Sequence, residues 1–124
     1  MLNIVKKDQE KIAIGLLSYL PRFREFHRAQ REFAWYESNP KDRQLLLWRN
    51  NDTNHYSAVI GVEFAYGNVV VCLLAFGAEV PHTERRERLF EILDSLQRSF
   101  HGQMILGTLR TQELITKWQR EMND

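Results

Sequence analysis

The chain has 124 residues and carries 17 Lys and Arg against 16 Asp and Glu, so its formal net charge is +1. A nearly neutral chain lacks the basic field that favours nucleic acids or anionic membranes as partners. Apolar residues at 44% and charged residues at 27% are typical of a globular protein, and the length predicts a single domain over residues 1–124.

Two features of the sequence predict its compartment. The longest apolar run, at 69–76, is about half the length that a membrane-spanning helix needs, and no signal-peptide pattern opens the chain. Cys72 is the single cysteine and lies in that run, so no disulfide can form within the chain. We therefore expect a cytoplasmic protein in which Cys72 is a buried structural thiol.

The first part of the chain predicts an edge strand followed by a helix. Residues 2–5 form the strand, Asp8 caps the helix, and Pro21 ends or bends it because proline has no amide hydrogen. Apolar residues at helical spacing predict the buried face of this helix: Ile12, Leu16, Leu17 and Leu20.

A second helical segment, 22–37, is rich in aromatic residues. They exceed what one narrow apolar stripe needs: Phe23, Phe26, Phe33, Trp35 and Tyr36. We expect them to pack on a sheet. The alternative is that some line a groove or a subunit contact, where aromatic residues are enriched.

Three strands with short connections follow, at 44–49, 56–65 and 69–76. The Asn- and Asp-rich segment 50–54 predicts one turn and 66–68 the other. Short connections make these strands an antiparallel meander. Gly61, inside the second of them, predicts a bulge or a close approach of backbone, and the apolar run 69–76 suits a strand buried on both faces.

The last part predicts a helix ending at 100, a short strand at 104–107 and a final helix at 111–121. The first helix has one apolar stripe, made of Leu89, Ile92, Leu93, Leu96 and Phe100. The final helix is predicted to be capped by Thr111 and to bury Leu114, Ile115, Trp118 and Met122. A helix crossing between 69–76 and 104–107 predicts that these two strands are parallel.

These elements predict an α/β fold, a mixed sheet with helices on its faces. Where a parallel pair splays apart, such sheets open a ligand crevice. The order of elements resembles that of the GNAT acyl-CoA N-acyltransferase fold, truncated at the C-terminus before its final strands. An edge strand left uncovered in this way would pair with a second copy, so a homodimer is an expected assembly.

Three stretches resemble a narrower group, the RibT proteins, which are small GNAT-like proteins of riboflavin operons in Gram-positive bacteria. The stretches are Glu10–Pro21, Asp42–Trp48 and Ala58–Glu63. The resemblance implies transfer of an acetyl group from acetyl-CoA to an amine, on a small-molecule substrate connected with riboflavin biosynthesis.

The GNAT resemblance also implies where CoA contacts the chain. Backbone groups at the end of the fourth strand bond its pantetheine arm, and the next loop, with the pattern Gln/Arg-x-x-Gly-x-Gly/Ala, wraps its pyrophosphate. That loop falls on 81–86, where Pro81, Glu84 and Arg86 occupy the three signature positions. The implied cofactor-binding residues are Leu74, Ala75, Phe76, Thr83, Arg85, Arg86 and Arg88.

The departure from the loop pattern leaves alternatives open. Side chains replace hydrogen where phosphate should approach backbone, and the Glu84 carboxylate would repel it. The arginines could instead bind phosphate through charge-assisted hydrogen bonds. They could also belong to a solvated helical face paired with neighbouring glutamates, or face an acidic partner.

Candidate catalytic residues are few. Glu63 is the best candidate for a base, and His82 is a candidate proton carrier because histidine is the usual proton carrier near neutral pH. Trp118 stands nearest the position where many GNAT enzymes have a Tyr proton donor, and an indole cannot take that role. His27, His55 and His101 have no metal-ligand spacing. Two functions remain: an N-acetyltransferase, or a non-catalytic GNAT-fold protein that binds a ligand or partner.

Overall fold

A computed structural model describes residues 1–123 and shows a five-stranded mixed sheet covered by two helices on each face. The strands are β1 (Leu2–Ile4), β2 (Arg43–Arg49), β3 (Tyr56–Ala65), β4 (Asn68–Phe76) and β5 (Ile105–Gly107). The helices are α1 (Glu10–Leu17), α2 (Phe26–Glu37), α3 (Arg85–Ser99) and α4 (Gln112–Asn123). None of the helices in residues 1–123 is long and apolar enough to cross a membrane.

The spatial order of the strands follows the chain, β1-β2-β3-β4-β5. Neighbouring strands are antiparallel from β1 to β4, because short turns join β2, β3 and β4. β4 and β5 are parallel, because α3 crosses between them. The predicted meander and the predicted parallel pair are both confirmed.

The two faces of the sheet belong to two separate cores. Successive side chains of a strand point to opposite faces. Val59 therefore packs with α1 and α2, while its neighbours Ala58 and Ile60 pack with α3 and α4. The predicted stripe of α3 lies in the second core, with Leu89, Ile92, Leu93 and Leu96 buried.

β4 contains a bulge beside Gly61. Gly61 pairs with Leu73 and Val62 with Val71, which leaves Cys72 as an extra residue in β4. A Cβ at Gly61 would lie 2.3 Å from the hydroxyl oxygen of Tyr36. The expected bulge is therefore confirmed, with its extra residue in β4, whereas the close approach is made by the Tyr36 side chain and not by backbone.

The first helix differs from its prediction in its cap and its buried face. Asp8 lies in a 3-10 turn (Lys7–Gln9) ahead of α1 and caps nothing; the Gln9 side chain accepts the Lys6 N–H instead. Ile12 is exposed, whereas the unpredicted Ala13 and Ile14 are buried. At about 100° per residue, Ile12 projects just outside the arc spanned by the four buried residues of α1, which are Ala13, Ile14, Leu16 and Leu17.

The aromatic residues near α2 divide between the two interpretations. Phe23, Phe33 and Tyr36 are buried, as packing on a sheet requires. Phe26 is 57% exposed and Trp35 is 39% exposed, and both line surface grooves. The prediction that this segment is helical from 22 is wrong at its start, because Pro21 to Phe23 form a 3-10 turn before α2.

The last helix buries fewer residues than its spacing predicts. Ile115 and Trp118 are buried, but Leu114 and Met122 are exposed. The side chain of Thr111 does not cap the helix as predicted, since its hydroxyl donates a hydrogen bond to the Val71 carbonyl across the sheet. This contact is central to the site described next.

Candidate functional site

β4 and β5 part halfway along β4. Pairing joins Val69–Val71 to Ile105–Gly107 and goes no further. Within residues 1–123, the segment 72–76 has β3 on one side and no strand on the other. The sheet is therefore split at its edge, and the split begins at the bulge around Cys72.

The residues at the start of α4 keep β4 and β5 apart. Thr111 is buried, and its Oγ1 donates to the Val71 carbonyl at 2.6 Å and accepts the Thr108 N–H at 2.9 Å. A Cβ on Gly107 would lie 2.7 Å from the backbone nitrogen of Gln112. The first turn of α4 thus occupies the space into which β5 would have continued, and glycine is required for that approach.

The split opens onto a cavity of about 560 Å³ between the end of β4, the start of α3 and the middle of α4. Apolar and aromatic side chains form most of its walls, and three cationic side chains join them. The lining residues are Leu74, Phe76, Arg85, Arg86, Leu89, Phe90, Leu114 and Lys117. An apolar cavity with a few charged groups is typical of a small-molecule site.

The three cationic side chains of the cavity differ in whether a carboxylate of the protein is already paired with them. Arg86 forms an ion pair with Glu121 and lies over the Phe90 ring, and Lys117 Nζ is 3.5 Å from Glu113. Arg85 donates to the Val80 carbonyl at 3.2 Å, and no carboxylate in residues 1–123 lies within 4.0 Å of it. Arg85 is therefore the cation best placed to receive a ligand anion.

The loop before α3 uses two of its backbone amides in hydrogen bonds within the loop. Pro81 begins a 3-10 turn in which the Glu84 N–H donates to the Pro81 carbonyl and the Arg85 N–H to the His82 carbonyl. Two amides at the start of the helix are thus used by the loop itself. The Glu84 and Arg85 amides are therefore not free for an anion in this cavity.

The structure separates the cofactor-binding residues implied by the resemblance. Leu74, Phe76, Arg85 and Arg86 line the cavity together. Ala75 points to the other face of the sheet, where it packs in the core beneath α1 and α2.

Two of the implied residues lie beside the cavity on other grooves. Thr83 lines a groove with Glu87 and Glu121. Arg88 bonds Glu91 at 2.6 Å and faces the turn at 50–53. Their predicted contact with a cofactor stays a prediction.

Sequence reasoning missed Lys117, Leu114 and Phe90 as cavity residues. Lys117 and Leu114 are three residues apart and therefore share one side of a helix. The sequence showed that this side of α4 is partly apolar. No nearby residue in the sequence indicates that it would face the end of β4.

The candidate catalytic residues do not line the cavity. Glu63 lies on the face of α1 and α2, where the Cys72 thiol donates to its Oε1 at 3.4 Å. His82 is exposed in the 3-10 turn. Trp118 is only 2% exposed, and its Nε1 donates to Asp94 Oδ1 at 2.9 Å, which makes it a core residue.

A row of polar side chains lies on the α2 side of the split. Burial raises the pKa of the Cys72 thiol to about 12, and the neighbouring Glu63 adds to that shift. Burial also raises the pKa of Tyr36, which is 2% exposed over Gly61. Both groups are therefore protonated at neutral pH, and Cys72 is a half-buried thiol with no thiolate character.

Next to that row, a groove of about 630 Å³ runs along α2. Its lining is Arg22, Phe23, Arg28, Arg31, Glu32 and Trp35. Burial lowers the pKa of Arg22 and raises that of Glu32. No sequence motif marks this groove, because its residues come from a 3-10 turn and a helix with ordinary charge content.

No family model matches the chain. In sequence, it is similar to an uncharacterized N-acetyltransferase in the lysA 3′ region of Bacillus methanolicus, with 42% identity over 52 residues. That match spans 42% of this chain and 42% of the relative, so the chain covers less than half of the curated protein that it matches.

Solved structures resemble the chain over most of its length. A GNAT family acetyltransferase from Staphylococcus aureus superposes with a TM-score of 0.60 at 12% identity, covering 87% of this chain and 84% of the other. A transcriptional regulator from Bacillus halodurans superposes with a TM-score of 0.63 at 9% identity, covering 100% of this chain and 91% of the other. The chain therefore has the GNAT acetyltransferase fold, which confirms the predicted fold class, and identities this low establish the fold alone.

Proposed function

We propose that this protein is an N-acetyltransferase that takes its acetyl group from acetyl-CoA and delivers it to an amine. The observation that carries the proposal is the split after Val71, which opens onto an apolar cavity with Arg85, Arg86 and Lys117 in its lining. The fold and the local likeness to a protein named as an N-acetyltransferase support it.

The cavity residues fit an elongated ligand that is apolar at one end and anionic at the other. Leu74 and Phe76 would contact an apolar arm, and Arg85 and Arg86 would bind phosphate groups by charge-assisted hydrogen bonds. Acetyl-CoA, when bound, supplies an acetyl group activated as a thioester. The Glu84 and Arg85 amides would not contribute, since they already bond the loop.

The chain would act mainly by orientation and by backbone polarity. The unpaired edge of β4 at 72–76 presents backbone groups to the split, where amide hydrogens stabilise developing negative charge on an oxygen. Among residues 1–123, neither candidate base lines the cavity, so a neutral amine would have to attack directly after being positioned.

We further propose that the narrower resemblance holds, so that the protein is RibT-like and its acceptor is connected with riboflavin biosynthesis. The support for this is the likeness of residues 10–21, 42–48 and 58–63. We place this activity in the cytoplasm, where a lone thiol such as Cys72 stays reduced.

A specific observation favours a second candidate, a non-catalytic binding protein of the same fold. Glu84 stands at the loop before α3, and Arg86 is already paired with Glu121. Both features would weaken the binding of CoA phosphates, while the apolar cavity would still take another ligand.

Calorimetric titration with acetyl-CoA and CoA separates the two candidates. The transferase predicts saturable binding in the micromolar range. We expect Arg85→Ala combined with Arg86→Ala to weaken it by at least about tenfold, because losing charge-assisted hydrogen bonds costs on the order of 1.5–3 kcal/mol each.

The matched control is Arg98→Ala, an exposed arginine at the far end of α3, which should leave the affinity unchanged. Arg88→Ala, measured in parallel, decides whether Arg88 shares in binding. Heat no greater than dilution at millimolar acetyl-CoA would contradict the proposal. Binding without acetyl transfer to a panel of amines would favour the second candidate.

A further inference from the structure

The groove of about 630 Å³ along α2 has no part in the proposed function. It lies on the α1 and α2 face of the sheet, since the buried Phe23 in its lining belongs to that core. Leu74 and Phe76 place the apolar cavity on the other face, with α3 and α4. The volume of the groove is typical of small-molecule sites, and a ligand in it would be separate from one in the cavity.

One side of α2 and the turn before it build this groove. Four of the lining residues recur at helical spacing and therefore share one side of the helix: Arg28, Arg31, Glu32 and Trp35. Arg22 and Phe23 come from the 3-10 turn that leads into the helix. Three guanidinium groups thus line one groove with a single carboxylate, so the lining carries a formal charge of +2.

Two of the three arginines have no carboxylate of the protein beside them. Arg28 pairs with Glu25, whose Oε2 is 3.7 Å from its Nε. Within residues 1–123, no carboxylate oxygen lies within 4.0 Å of a side-chain nitrogen of Arg22 or Arg31. Cations that share a groove repel one another, and an anion between them would replace that repulsion with charge-assisted hydrogen bonds. The groove therefore favours an anionic ligand.

The indole of Trp35 gives the groove a flat apolar wall, and Arg43 holds that indole in place. Arg43 donates from Nε to the Trp35 carbonyl at 2.7 Å and from Nη2 to Ser38 Oγ at 2.7 Å, and its guanidinium carbon is 4.2 Å from the centroid of the indole ring. Arg43 does not line the groove, so the indole surface exposed there is one that the guanidinium leaves uncovered. An aromatic surface held beside cations is suited to stacking a planar ring.

We propose that the groove along α2 binds a small organic anion in which a planar ring carries a phosphate or a carboxylate. Arg22 and Arg31 bind the acidic group, and the ring stacks on Trp35. A nucleic-acid strand fits less well, because the helical part of the lining spans only about two turns and the chain as a whole has a net charge of +1. The proposal does not depend on acetyl transfer, since the groove and the cavity lie on opposite faces of the sheet.

Titration calorimetry at about 0.15 M salt, where long-range attraction between exposed charges is screened, tests the ring and the acidic group separately. AMP and orotate carry both. Adenosine and uracil carry only the ring, whereas ribose 5-phosphate and acetate carry only the acidic group. We expect AMP, orotate or both to bind with a Kd below about 1 mM, which also identifies the preferred acid. The partial probes should bind at least about tenfold more weakly than the complete probe they derive from.

Variants connect this binding with the groove. Arg31 is exposed, so Arg31→Glu should leave the fold intact and abolish binding. Arg22→Ala should weaken binding by about tenfold or more, the factor expected from one lost charge-assisted bond. Trp35→Ala should weaken it by a similar factor, and Trp35→Phe, which keeps a ring, should restore part of it. The matched control is Arg98→Glu, which makes the same change in net charge at an exposed position of α3, on the other face of the sheet, and should leave the affinity within about twofold.

The results distinguish this inference from the proposed function. Binding that is lost in Arg31→Glu but kept when Arg85→Ala is combined with Arg86→Ala would assign the ligand to the groove, whether or not acetyl-CoA binds. The reverse pattern would assign it to the cavity and overturn the inference.

Three other outcomes would overturn it as well. The first is heat no greater than dilution with millimolar AMP and orotate. The second is binding of ribose 5-phosphate or acetate as tight as that of the complete probe, which would remove the role of the ring. The third is binding of poly-L-glutamate through Arg31 with no response to AMP or orotate, which would make the groove a surface for an acidic protein.

Discussion

At the scale of single residues, the contact between Gly61 and Tyr36 decides which residue the middle of β3 can have at the bulge. Tyr36 is buried on α2, and a Cβ at Gly61 would lie 2.6 Å from its ring carbon Cζ and 2.9 Å from Leu73 Cγ. Real Cβ atoms do not approach other heavy atoms so closely, so only glycine lets the ring lie over β3 at the bulge. The bulge in turn sets where β4 leaves β5.

Gly61→Ala should destabilise the protein by about 1–3 kcal/mol, the usual cost of overpacking a core. Equilibrium unfolding in urea measures it. Gly15→Ala is the matched control: Gly15 lies in α1 with nothing within 4 Å of an added Cβ. There alanine should be neutral or stabilising by up to about 1 kcal/mol, because glycine is a poor helix former. Equal stability of the two variants would show that Tyr36 does not constrain Gly61.

At the scale of elements, the start of α4 decides the shape of the site. β5 is three residues long and ends where Gly107 admits the backbone of Gln112. The Val71 carbonyl, at the last paired position of β4, accepts its bond from the Thr111 hydroxyl. A side chain thus completes the pairing at the point where the strand stops, and the strands separate without leaving that carbonyl unsatisfied.

Thr111→Val should cost about 1–3 kcal/mol, because it leaves the buried Val71 carbonyl without a donor and the Thr108 amide without an acceptor. Urea unfolding measures the loss. In the Val variant, amide hydrogen exchange should become faster at residues 69–76 by a larger factor than elsewhere in the sheet. Thr111→Ser keeps the hydroxyl and should retain most of the stability. A Val variant as stable as the Ser variant would mean that this hydrogen bond does not hold the split.

At the scale of the whole molecule, one sheet separates two chemically different sides. The side of α3 and α4 carries the apolar cavity, and the side of α1 and α2 carries buried titratable groups and a basic groove. Ile4 in the edge strand β1 and Met104, which directly precedes the edge strand β5, are exposed. The homodimer expected from the sequence stays a prediction, and sedimentation equilibrium would test it.

The pH dependence of stability should report the burial of Glu32. Burial raises its pKa above the unfolded value of 4.5, and the nearby Arg22 opposes that shift without cancelling it. A carboxyl with a raised pKa stabilises the fold while protonated, below the unfolded pKa, and this stability is lost as pH rises through the folded pKa. Glu32→Gln removes that titration.

We therefore expect the free energy of unfolding of Glu32→Gln, minus that of the unmodified protein, to increase as pH is raised from about 4 to 7. Urea unfolding at several pH values measures the difference. Glu37→Gln, an exposed position on the same helix, shows what removing a surface carboxylate does by itself. A difference that falls with rising pH would contradict the burial of Glu32.

The sequence by itself determined the order of strands and helices, the parallel pairing of 69–76 with 104–107, and the bulge at Gly61. These follow from turn residues and from periodicities of two and 3.6, which act between near neighbours. It also showed that 81–86 depart from the GNAT loop pattern at Pro81, Glu84 and Arg86. Asp8 was misjudged as a cap because a 3-10 turn precedes α1. Ile12 was misjudged because its spacing alone did not show that it lies at the margin of the buried face.

Only the tertiary structure decided which residues share a site. Leu74 and Ala75 are adjacent in the chain but face different cores, while Lys117 joins Arg85 at the cavity from another helix. Local propensity predicts such elements, but the distance between residues far apart in the chain depends on packing, which no short stretch of sequence encodes.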